Sequence, residues 1–235
     1  MERIYKIAGL IVKMNPKGVL EKRAEKYLCA STEKYDFNLC SSWDKVKKRH
    51  PELCDDTGEY ISTGFNFYKK LLEYNGIMLH SSVVGYNGKA YLFTADSGVG
   101  KSTHTKLWLE LLGDSAFILN DDKPALRILN GKWFAFGTPW SGKHDISENA
   151  GLPIAGIAVL SRAQENKIVP FNGRDAIKLI IKQTNRPKEK EDCEIFLGLL
   201  ENLFTEIPVW KLECNTSLDA AKIAYETMSG NSYKD

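Results

Sequence analysis

The hydrophobic residues of this 235-residue chain recur with two different periods, and these outline its secondary structure. Short runs of β-branched and aromatic residues predict strands, whereas apolar residues three and four positions apart predict helices. Strands are predicted at 5–12, 37–40, 77–86, 89–94, 116–119, 125–129, 132–136, 154–160, 167–171 and 207–212. Helices are predicted at 19–28, 45–50, 65–72, 101–112, 175–183, 196–203 and 218–228. Strands that alternate with helices indicate an α/β fold.

Two dipeptides predict tight hairpins in the middle of the chain. Asn87-Gly88 and Asn130-Gly131 each separate two predicted strands, and asparagine followed by glycine is a strong signal for a two-residue turn. Counting back along both strands from the turn at Asn87-Gly88 places His80 opposite Ala95. Because a hairpin pairs its strands antiparallel, the sheet is expected to be mixed.

The stretch from Tyr91 to Thr103 has the pattern of a phosphate-binding loop (P-loop) between a strand and a helix. It matches G-x-x-x-x-G-K-[ST] except that Ala95 replaces the first glycine. In this pattern backbone N–H groups face the phosphates, Lys101 reaches the β- and γ-phosphates and Ser102 binds Mg²⁺. The expected cofactors are therefore ATP and Mg²⁺. The alternative is a turn of glycine and serine that happens to end in Lys-Ser. The predicted nucleotide-binding residues are Asp96, Ser97, Gly98, Val99, Gly100, Lys101, Ser102 and Thr103.

The predicted elements divide at the turn signal Asn75-Gly76. We expect a small α+β N-terminal lobe at 1–75, a P-loop nucleotide-binding domain at 76–229 and a tail at 230–235. The tail is expected to be frayed from Ser229 onward.

The apolar strand at 116–119 is expected to return beside the P-loop strand at 89–94, and a second acidic motif follows it. Asn120-Asp121-Asp122 is expected at the carboxyl edge of the sheet, in the Walker B arrangement of an apolar strand followed by aspartate. Two adjacent carboxylates can divide the work, since one can bind Mg²⁺ while the other accepts a proton from an attacking hydroxyl. The alternative is a polar turn, because Asn, Asp and Pro all favour turns.

His80 and the loop 137–145 supply further candidates. The hairpin register places the His80 imidazole near the mouth of the P-loop, as a donor to phosphate or a partner of the catalytic acid; the alternative is a structural histidine. The second hairpin returns the loop 137–145 toward the aspartate pair. Lys143 in that loop is a candidate for contact with a phosphoryl group, with a mobile surface lysine as the alternative, and His144 is given no definite role.

Composition and charge exclude several classes of function. A formal net charge of +2 is too small to imply a nucleic-acid or membrane partner. The basic run at 45–49 is typical of a solvated helix face. Five cysteines without a C-x-x-C pair favour neither a disulfide framework nor a zinc site. With no predicted membrane span or signal peptide, we expect a cytoplasmic protein. The scattered aromatic residues fit a core or an interface, which leaves a homo-oligomer open.

These motifs together resemble the catalytic core of HPr kinase/phosphorylase and its smaller HPr-kinase-like relatives. That core is itself similar to the nucleotide site of phosphoenolpyruvate carboxykinase. The resemblance covers about 76–229, and its specific part is 79–122. The phrase Gly137-Thr138-Pro139-Trp140-Ser141-Gly142-Lys143 looks like that of the short relatives, whose function is unassigned or peptide-modifying.

The resemblance implies a role for each candidate residue. It implies Lys101 and Ser102 at phosphate and Mg²⁺, Asp121 near the metal, Asp122 as the base toward a serine hydroxyl, and His80 in support of the reacting groups. The chain departs from true HPr kinases because it lacks their Glu-x-Arg-Gly-Leu-Gly signature, and its N-terminal lobe is shorter than theirs. HPr itself is therefore not the expected substrate.

The sequence thus predicts a Mg·ATP-dependent kinase that transfers the γ-phosphate to a hydroxyl, with serine in a peptide, in a protein or free as the acceptor. Its catalytic candidates are Asp122, His80, Lys101 and Lys143, and its metal ligands are Ser102 and Asp121. Two alternatives stay open. One is a nucleotide-binding regulator without turnover, and the other is a carboxykinase-like phosphotransferase acting with a keto acid.

Overall fold

The computed structural model describes residues 2–30 and 34–233 of the chain. Its first part contains a three-stranded sheet and three helices. These elements are β1 (Arg3–Ile7), β2 (Leu10–Met14), α1 (Gly18–Ala24), β3 (Phe37–Leu39), α2 (Trp43–Val46) and α3 (Asp55–Leu71). The remaining elements are β4 (Gly76–Met78), β5 (Ser81–Tyr86), β6 (Lys89–Thr94), α4 (Lys101–Leu112), β7 (Ala116–Asn120), β8 (Ala125–Leu129), β9 (Lys132–Phe136), β10 (Gly151–Arg162), β11 (Lys167–Pro170), α5 (Gly173–Ile180), α6 (Lys190–Glu206), β12 (Val209–Cys214) and α7 (Leu218–Ser229).

The main sheet is mixed, which confirms the coarse fold prediction. Its central order is β4-β8-β9-β10-β6-β5-β7, and β12 pairs with both β10 and β11. Strands β6, β10 and β12 run parallel, whereas β5 and β9 are antiparallel to their neighbours. The carboxyl ends of β6, β10 and β12 therefore meet at one edge of the sheet, where ligands of open α/β sheets bind.

Helices cover both faces of the main sheet. On one face, Leu92 of β6 shares a core with Leu200 of α6. On the other face, Phe93 shares a core with Trp108 of α4 and Tyr225 of α7. Neighbouring residues of β6 thus enter opposite cores, as the pleat of a strand buried on both faces requires.

A third core links the N-terminal sheet to the later part of the chain. It contains Tyr5 and Val12 from the first sheet, Phe67 from α3, and Phe136 and Trp140 from beyond β8. The predicted division at residue 75 stays a prediction.

Both predicted hairpins have the expected register. Tyr86 pairs with Lys89 around Asn87-Gly88, and Leu129 pairs with Lys132 around Asn130-Gly131. Both asparagines and both glycines have positive φ, as a two-residue turn of this kind needs.

Two predicted strands are each split in the structure. The run 5–12 is a hairpin, because Ala8 and Gly9 with φ of +53° and +76° reverse the chain between β1 and β2. The run 77–86 breaks between β4 and β5, since β4 pairs with β8 whereas β5 pairs with β6. At the break, the His80 N–H donates to the Gln183 carbonyl across 2.7 Å, which diverts the chain from one pairing to the next.

Strand β7 was expected beside β6, and this is wrong. It pairs antiparallel with β5, which lies between β7 and β6. Two antiparallel steps leave β7 and β6 running in the same direction. The residues that follow β7 consequently reach the same edge of the sheet as the residues that follow β6.

The segment 45–50 and the C-terminal tail differ from expectation in detail. The basic helix expected at 45–50 is only the single turn of α2 followed by a 3₁₀ turn at Lys47–Arg49. Tyr233 in the predicted frayed tail packs on Tyr225, and its hydroxyl donates to the Leu111 carbonyl across 3.1 Å. The last two residues lie outside the described part of the chain. Among residues 2–30 and 34–233, no helix is long and apolar enough to cross a bilayer.

Candidate active site

The loop between β6 and α4 is shaped by two glycines and held by one arginine. Gly98 and Gly100 have φ of +79° and +128°, a region that favours glycine, and an added Cβ at either would meet no heavy atom within 4 Å. The Arg162 guanidinium, at the end of β10, donates to the carbonyls of Gly98 and Val99 across 2.5 and 3.1 Å. The loop is thereby fixed to the neighbouring parallel strand.

Lys101 opens α4 and turns its ammonium group into this loop. Its Nζ donates to the Ala95 carbonyl across 3.0 Å, and the residue is only 8% exposed. Burial lowers the pKa of Lys101 from its usual value, and the carboxylates of Asp122 and Asp121 offset only part of that effect. A lysine with so little water around it, beside a helix N-terminus, is well placed to attract an anion.

The aspartate pair follows β7 in a turn fixed by Asn120. The Asn120 Oδ1 accepts hydrogen bonds from the N–H groups of Asp122 and Lys123 at 3.0 and 2.9 Å, and its Nδ2 donates to the Thr138 carbonyl at 3.0 Å. Asn120 is completely buried. The polar turn that was the alternative to a site is therefore present, and its hydrogen bonds orient the two aspartates.

Each oxygen of the Asp122 carboxylate has a cationic or imidazole partner. Oδ1 lies 3.2 Å from His80 Nε2, and Oδ2 accepts from Lys123 Nζ. Burial by itself would raise the pKa of Asp122, but the hydrogen bond from His80 and the charge of Lys123 outweigh it and lower the pKa. Asp122 is therefore ionised at neutral pH and can accept a proton.

Gln183 holds His80 in place. Its side-chain Nε2 donates to Asp96 Oδ1 across 2.7 Å, which turns its Oε1 toward His80 Nδ1 at 3.0 Å. With its main-chain N–H also bound to the Gln183 carbonyl, His80 presents Nε2 to Asp122. This chain of contacts runs from the loop after β6 to the aspartate after β7.

Asp121 and Ser102 supply hard oxygen ligands of the kind that Mg²⁺ prefers. Asp121 Oδ1 accepts from the Ser82 hydroxyl across 2.6 Å, and Ser82 in turn lies 3.0 Å from the Thr105 hydroxyl. In the described part of the chain, no cluster of three or more His, Cys, Asp or Glu side chains is arranged to hold a metal. Since Mg²⁺ usually keeps several waters and binds protein through one or two ligands plus phosphate, this donor set fits Mg²⁺ accompanying a nucleotide.

The loop 137–145 lies against the aspartate pair, as the second hairpin predicted. Gly142 is so close that an added Cβ would lie 2.8 Å from Asp122 Cβ. Its N–H donates to the Tyr60 hydroxyl across 3.3 Å, and that hydroxyl also accepts from Arg23 at 2.9 Å. Residues of the N-terminal part thus hold the loop in position, while Lys143 is exposed within it.

One cavity of about 490 Å³ gathers most of the predicted residues. Asp96 and Val99 instead line neighbouring cavities. The predicted residues that line the 490 Å³ cavity are His80, Ser97, Gly98, Gly100, Lys101, Ser102, Thr103, Asp121, Asp122, Lys143 and His144.

Several residues that the sequence did not predict contact the predicted site residues. Lys123 pairs with Asp122, Gln183 with His80, Arg162 with the loop after β6, and Tyr60 with Gly142. Lys123 was visible as the next residue in the acidic motif. For Gln183 and Arg162 the sequence offered no signal, because they come from distant parts of the chain.

We expect Gly142→Ala to lower any phosphate transfer by about 10²-fold, since its Cβ would displace Asp122 and misplaced catalytic groups cost rates of that order. Gly131→Ala is the matched control: the two glycines have φ of +73° and +74°, but nothing lies within 4 Å of a Cβ at Gly131. Both variants should lose about 1 kcal/mol or more of stability to the positive φ. Equal activity of the two variants would show that the loop does not control Asp122.

Beside the loop, His104 of α4 is buried as a neutral ring. It is 2% exposed, and burial lowers its pKa from 6.5 to about 4. Its Nε2 accepts from Trp108 Nε1 across 3.2 Å, so the ring proton is on Nδ1. Within the described residues that Nδ1 is buried without a hydrogen-bond partner.

His104 should make folding sensitive to acid. Because the folded pKa is depressed below the unfolded value of about 6.5, this contribution to stability is complete above pH 6.5 and is lost as pH falls toward 4. At about 1.4 kcal/mol per pKa unit, the loss is about 3 kcal/mol. The free energy of unfolding, measured with urea at several pH values from 7 to 4, should therefore fall less steeply in His104→Gln than in the wild type. Parallel pH curves would contradict this.

Neither a family model nor a curated protein matches this chain in sequence. Among solved structures, the HPr(Ser) kinase/phosphatase from Coxiella burnetii is similar over 65% of this chain and 93% of its own, with 12% sequence identity and a TM-score of 0.36. This similarity is a distant fold relationship.

Proposed function

We propose that this protein transfers the γ-phosphate of Mg·ATP to a hydroxyl, with serine in a peptide, in a protein or free as the acceptor. One observation carries the proposal: Lys101 at the start of α4 and Asp122 beside His80 line the same cavity. An anion attracted to Lys101 and a hydroxyl next to Asp122 would meet there.

The proposed reaction uses the site in the following way. The acceptor oxygen forms a bond to the γ-phosphorus as the bond from that phosphorus to the bridging oxygen of ADP breaks. Asp122 takes the hydroxyl proton, with His80 holding its carboxylate in position, and Lys101 neutralises charge on the phosphates. Mg²⁺ held by Ser102 and Asp121 would neutralise further charge. Lys143 is proposed to reach the transferred group from the loop 137–145, which already lines the cavity.

A nucleotide-binding regulator without turnover is the second candidate, and one observation favours it. Each oxygen of Asp122 already has a cationic or imidazole partner, and these partners lower the pKa of the carboxyl and so weaken it as a base. A regulator would bind ATP, leave it intact and change its affinity for a partner.

Transfer of a labelled γ-phosphate tests the proposal. The acceptors are free serine, serine peptides and lysate proteins, and the protein is compared with Lys101→Ala and Lys106→Ala. We expect labelled product from the wild type and from Lys106→Ala, which changes an exposed lysine of the same helix. Lys101→Ala should lose it. No labelled product with any acceptor, while ATP still binds, would favour the regulator.

A further inference from the structure

A groove runs along the exposed side of α3, outside the 490 Å³ cavity. It consists of two adjoining cavities of about 150 and 210 Å³, which share Phe65 of α3 and Asn185. Asn185 lies in the segment that follows the 3₁₀ turn at Ile181–Gln183. The smaller cavity borders the candidate active site, and the larger one continues toward the start of α6. The groove is therefore separate from the residues that the sequence predicted for the site.

The smaller cavity is apolar and open to solvent. Ile61 and Phe65, one helical turn apart on α3, line it and are 51% and 48% exposed. Tyr68, Met78 and Trp140 complete its apolar surface. Exposed apolar side chains around a concave surface are typical of a binding site. Since an apolar cavity of about this size can hold a benzene-sized group, one leucine, methionine or phenylalanine side chain would fit.

Two residues of the smaller cavity also contact the candidate active site. Lys123 lines the cavity, and its Nζ pairs with Asp122 Oδ2. Tyr60 lines it too, and its hydroxyl accepts from the N–H of Gly142, which lies against Asp122. A polypeptide whose serine lies at Asp122 would reach the groove within a few residues, because an extended chain advances about 3.3 Å per residue.

The far end of the groove has an excess of positive charge. Lys69 pairs with Asp192 across 3.6 Å. Arg186 and Lys188 also line this end, and neither forms an ion pair within the part of the chain that the structure describes. Glu189 offsets only one of these two charges. An unbalanced cation next to an apolar cavity favours a ligand that carries a carboxylate as well as an apolar side chain.

We propose that this groove binds the segment of a peptide or protein that flanks the acceptor serine, with an apolar side chain in the smaller cavity and an acidic residue near Arg186 and Lys188. This rests on the proposed transfer of phosphate to a hydroxyl, and it narrows the acceptor. The apolar residue lies within about four positions of the serine, and the acidic residue lies further along the same side. Free serine has no flanking residues to occupy the groove, so it is a poor acceptor.

Peptide libraries with a central serine test this assignment. Each library fixes one amino acid at one position near the serine and randomises the others, and transfer from γ-labelled Mg·ATP is measured. We expect leucine, methionine or phenylalanine at one such position to raise labelling about tenfold or more over glycine, because burying a side chain of that size changes affinity by that order. A preference for an acidic residue beyond that position should weaken at high salt.

Two variants show whether the preference arises in the groove. Ile61→Ser and Phe65→Ser remove apolar surface at exposed positions of α3, and each should reduce the apolar preference severalfold without changing the affinity for Mg·ATP. Leu197→Ser is the matched control, since Leu197 is 52% exposed on α6 and does not line the groove. It should keep the full preference.

The outcomes separate this inference from the proposed function. Labelling without an apolar preference, or a preference that both α3 variants keep, would show that the flanking segment binds elsewhere. If no peptide is labelled, binding of fluorescent leucine and glycine libraries is compared in the presence of Mg·ADP. Preferential binding of the leucine library that both variants lose supports the groove and contradicts the kinase activity, whereas equal binding contradicts both.

Sedimentation velocity of the same variants tests a different occupant, a second copy of this chain. We expect the α3 variants to have the same oligomeric state as the wild type. Conversion of a wild-type dimer into monomers by both variants, with peptide labelling unchanged, would make the groove an interface between copies and overturn the inference.

Discussion

The Asp122→Asn variant should lose about 10²–10⁴-fold in phosphate transfer while it keeps its affinity for Mg·ATP. The reason is that an amide cannot take the proton of the acceptor hydroxyl, and general bases contribute rates of that order. Asparagine keeps the size of the side chain and its contact with Lys123 or His80. The loss should therefore appear in kcat rather than in nucleotide binding.

The matched control for this variant is Asp114→Asn, an exposed aspartate in the 3₁₀ turn that follows α4. It should retain full activity. Thermal unfolding of both variants separates a catalytic loss from a folding defect. Full turnover by Asp122→Asn would remove Asp122 from the mechanism.

Trp140→Ala should lower the free energy of unfolding by about 3–5 kcal/mol, the range for deleting a large buried aromatic side chain. Trp140 is 1% exposed, its ring stacks on Phe67 of α3 with centroids 4.8 Å apart, and its Nε1 donates to the Tyr60 carbonyl across 3.0 Å. It thus anchors the loop 137–145 to α3. The deletion leaves a cavity in the core that joins the N-terminal sheet to the rest of the chain.

Urea unfolding of Trp140→Ala and Trp210→Ala measures how much free energy of unfolding each variant loses relative to the wild type. Trp210 of β12 is partly exposed, so its removal should cost clearly less. Equal losses in the two variants would show that Trp140 does not hold the two parts of the molecule together.

The features that the sequence predicted correctly depend on local chemistry. Asn87-Gly88 and Asn130-Gly131 determined two hairpins, because few other residue pairs adopt two consecutive positive φ angles at low cost. The register of the first hairpin was sufficient to bring His80 near the loop after β6. The approach of the loop 137–145 to the aspartates followed from the second hairpin in the same way.

The errors arose where contacts distant in sequence decide the backbone. The run 77–86 has continuous strand character, and only its two different partners, β8 and β6, reveal the break at His80. Glycine is a poor helix former, yet Gly58 and Gly64 both lie inside α3. They allow the rings of Trp43 and Trp140 to pack against the helix, where a Cβ would come within 2.2 and 2.7 Å of those rings.

In the candidate site, only the residues that belong to short motifs could be predicted from the sequence. Lys101, Asp121 and Asp122 belong to short motifs with a recognisable spacing. Gln183, which orients His80, comes from a 3₁₀ turn 103 residues further along the chain and has no motif of its own.

Phosphorus NMR of the wild-type protein with Mg·ATP and an acceptor mixture tests the central claim most directly. One sample contains free serine and serine peptides, and a second sample contains oxaloacetate. We expect ATP to be converted into ADP and a phosphomonoester in equal amounts, at a rate that falls by orders of magnitude in Lys101→Ala. Intact ATP in the presence of saturable binding, or phosphate transfer only with the keto acid, would contradict a hydroxyl kinase.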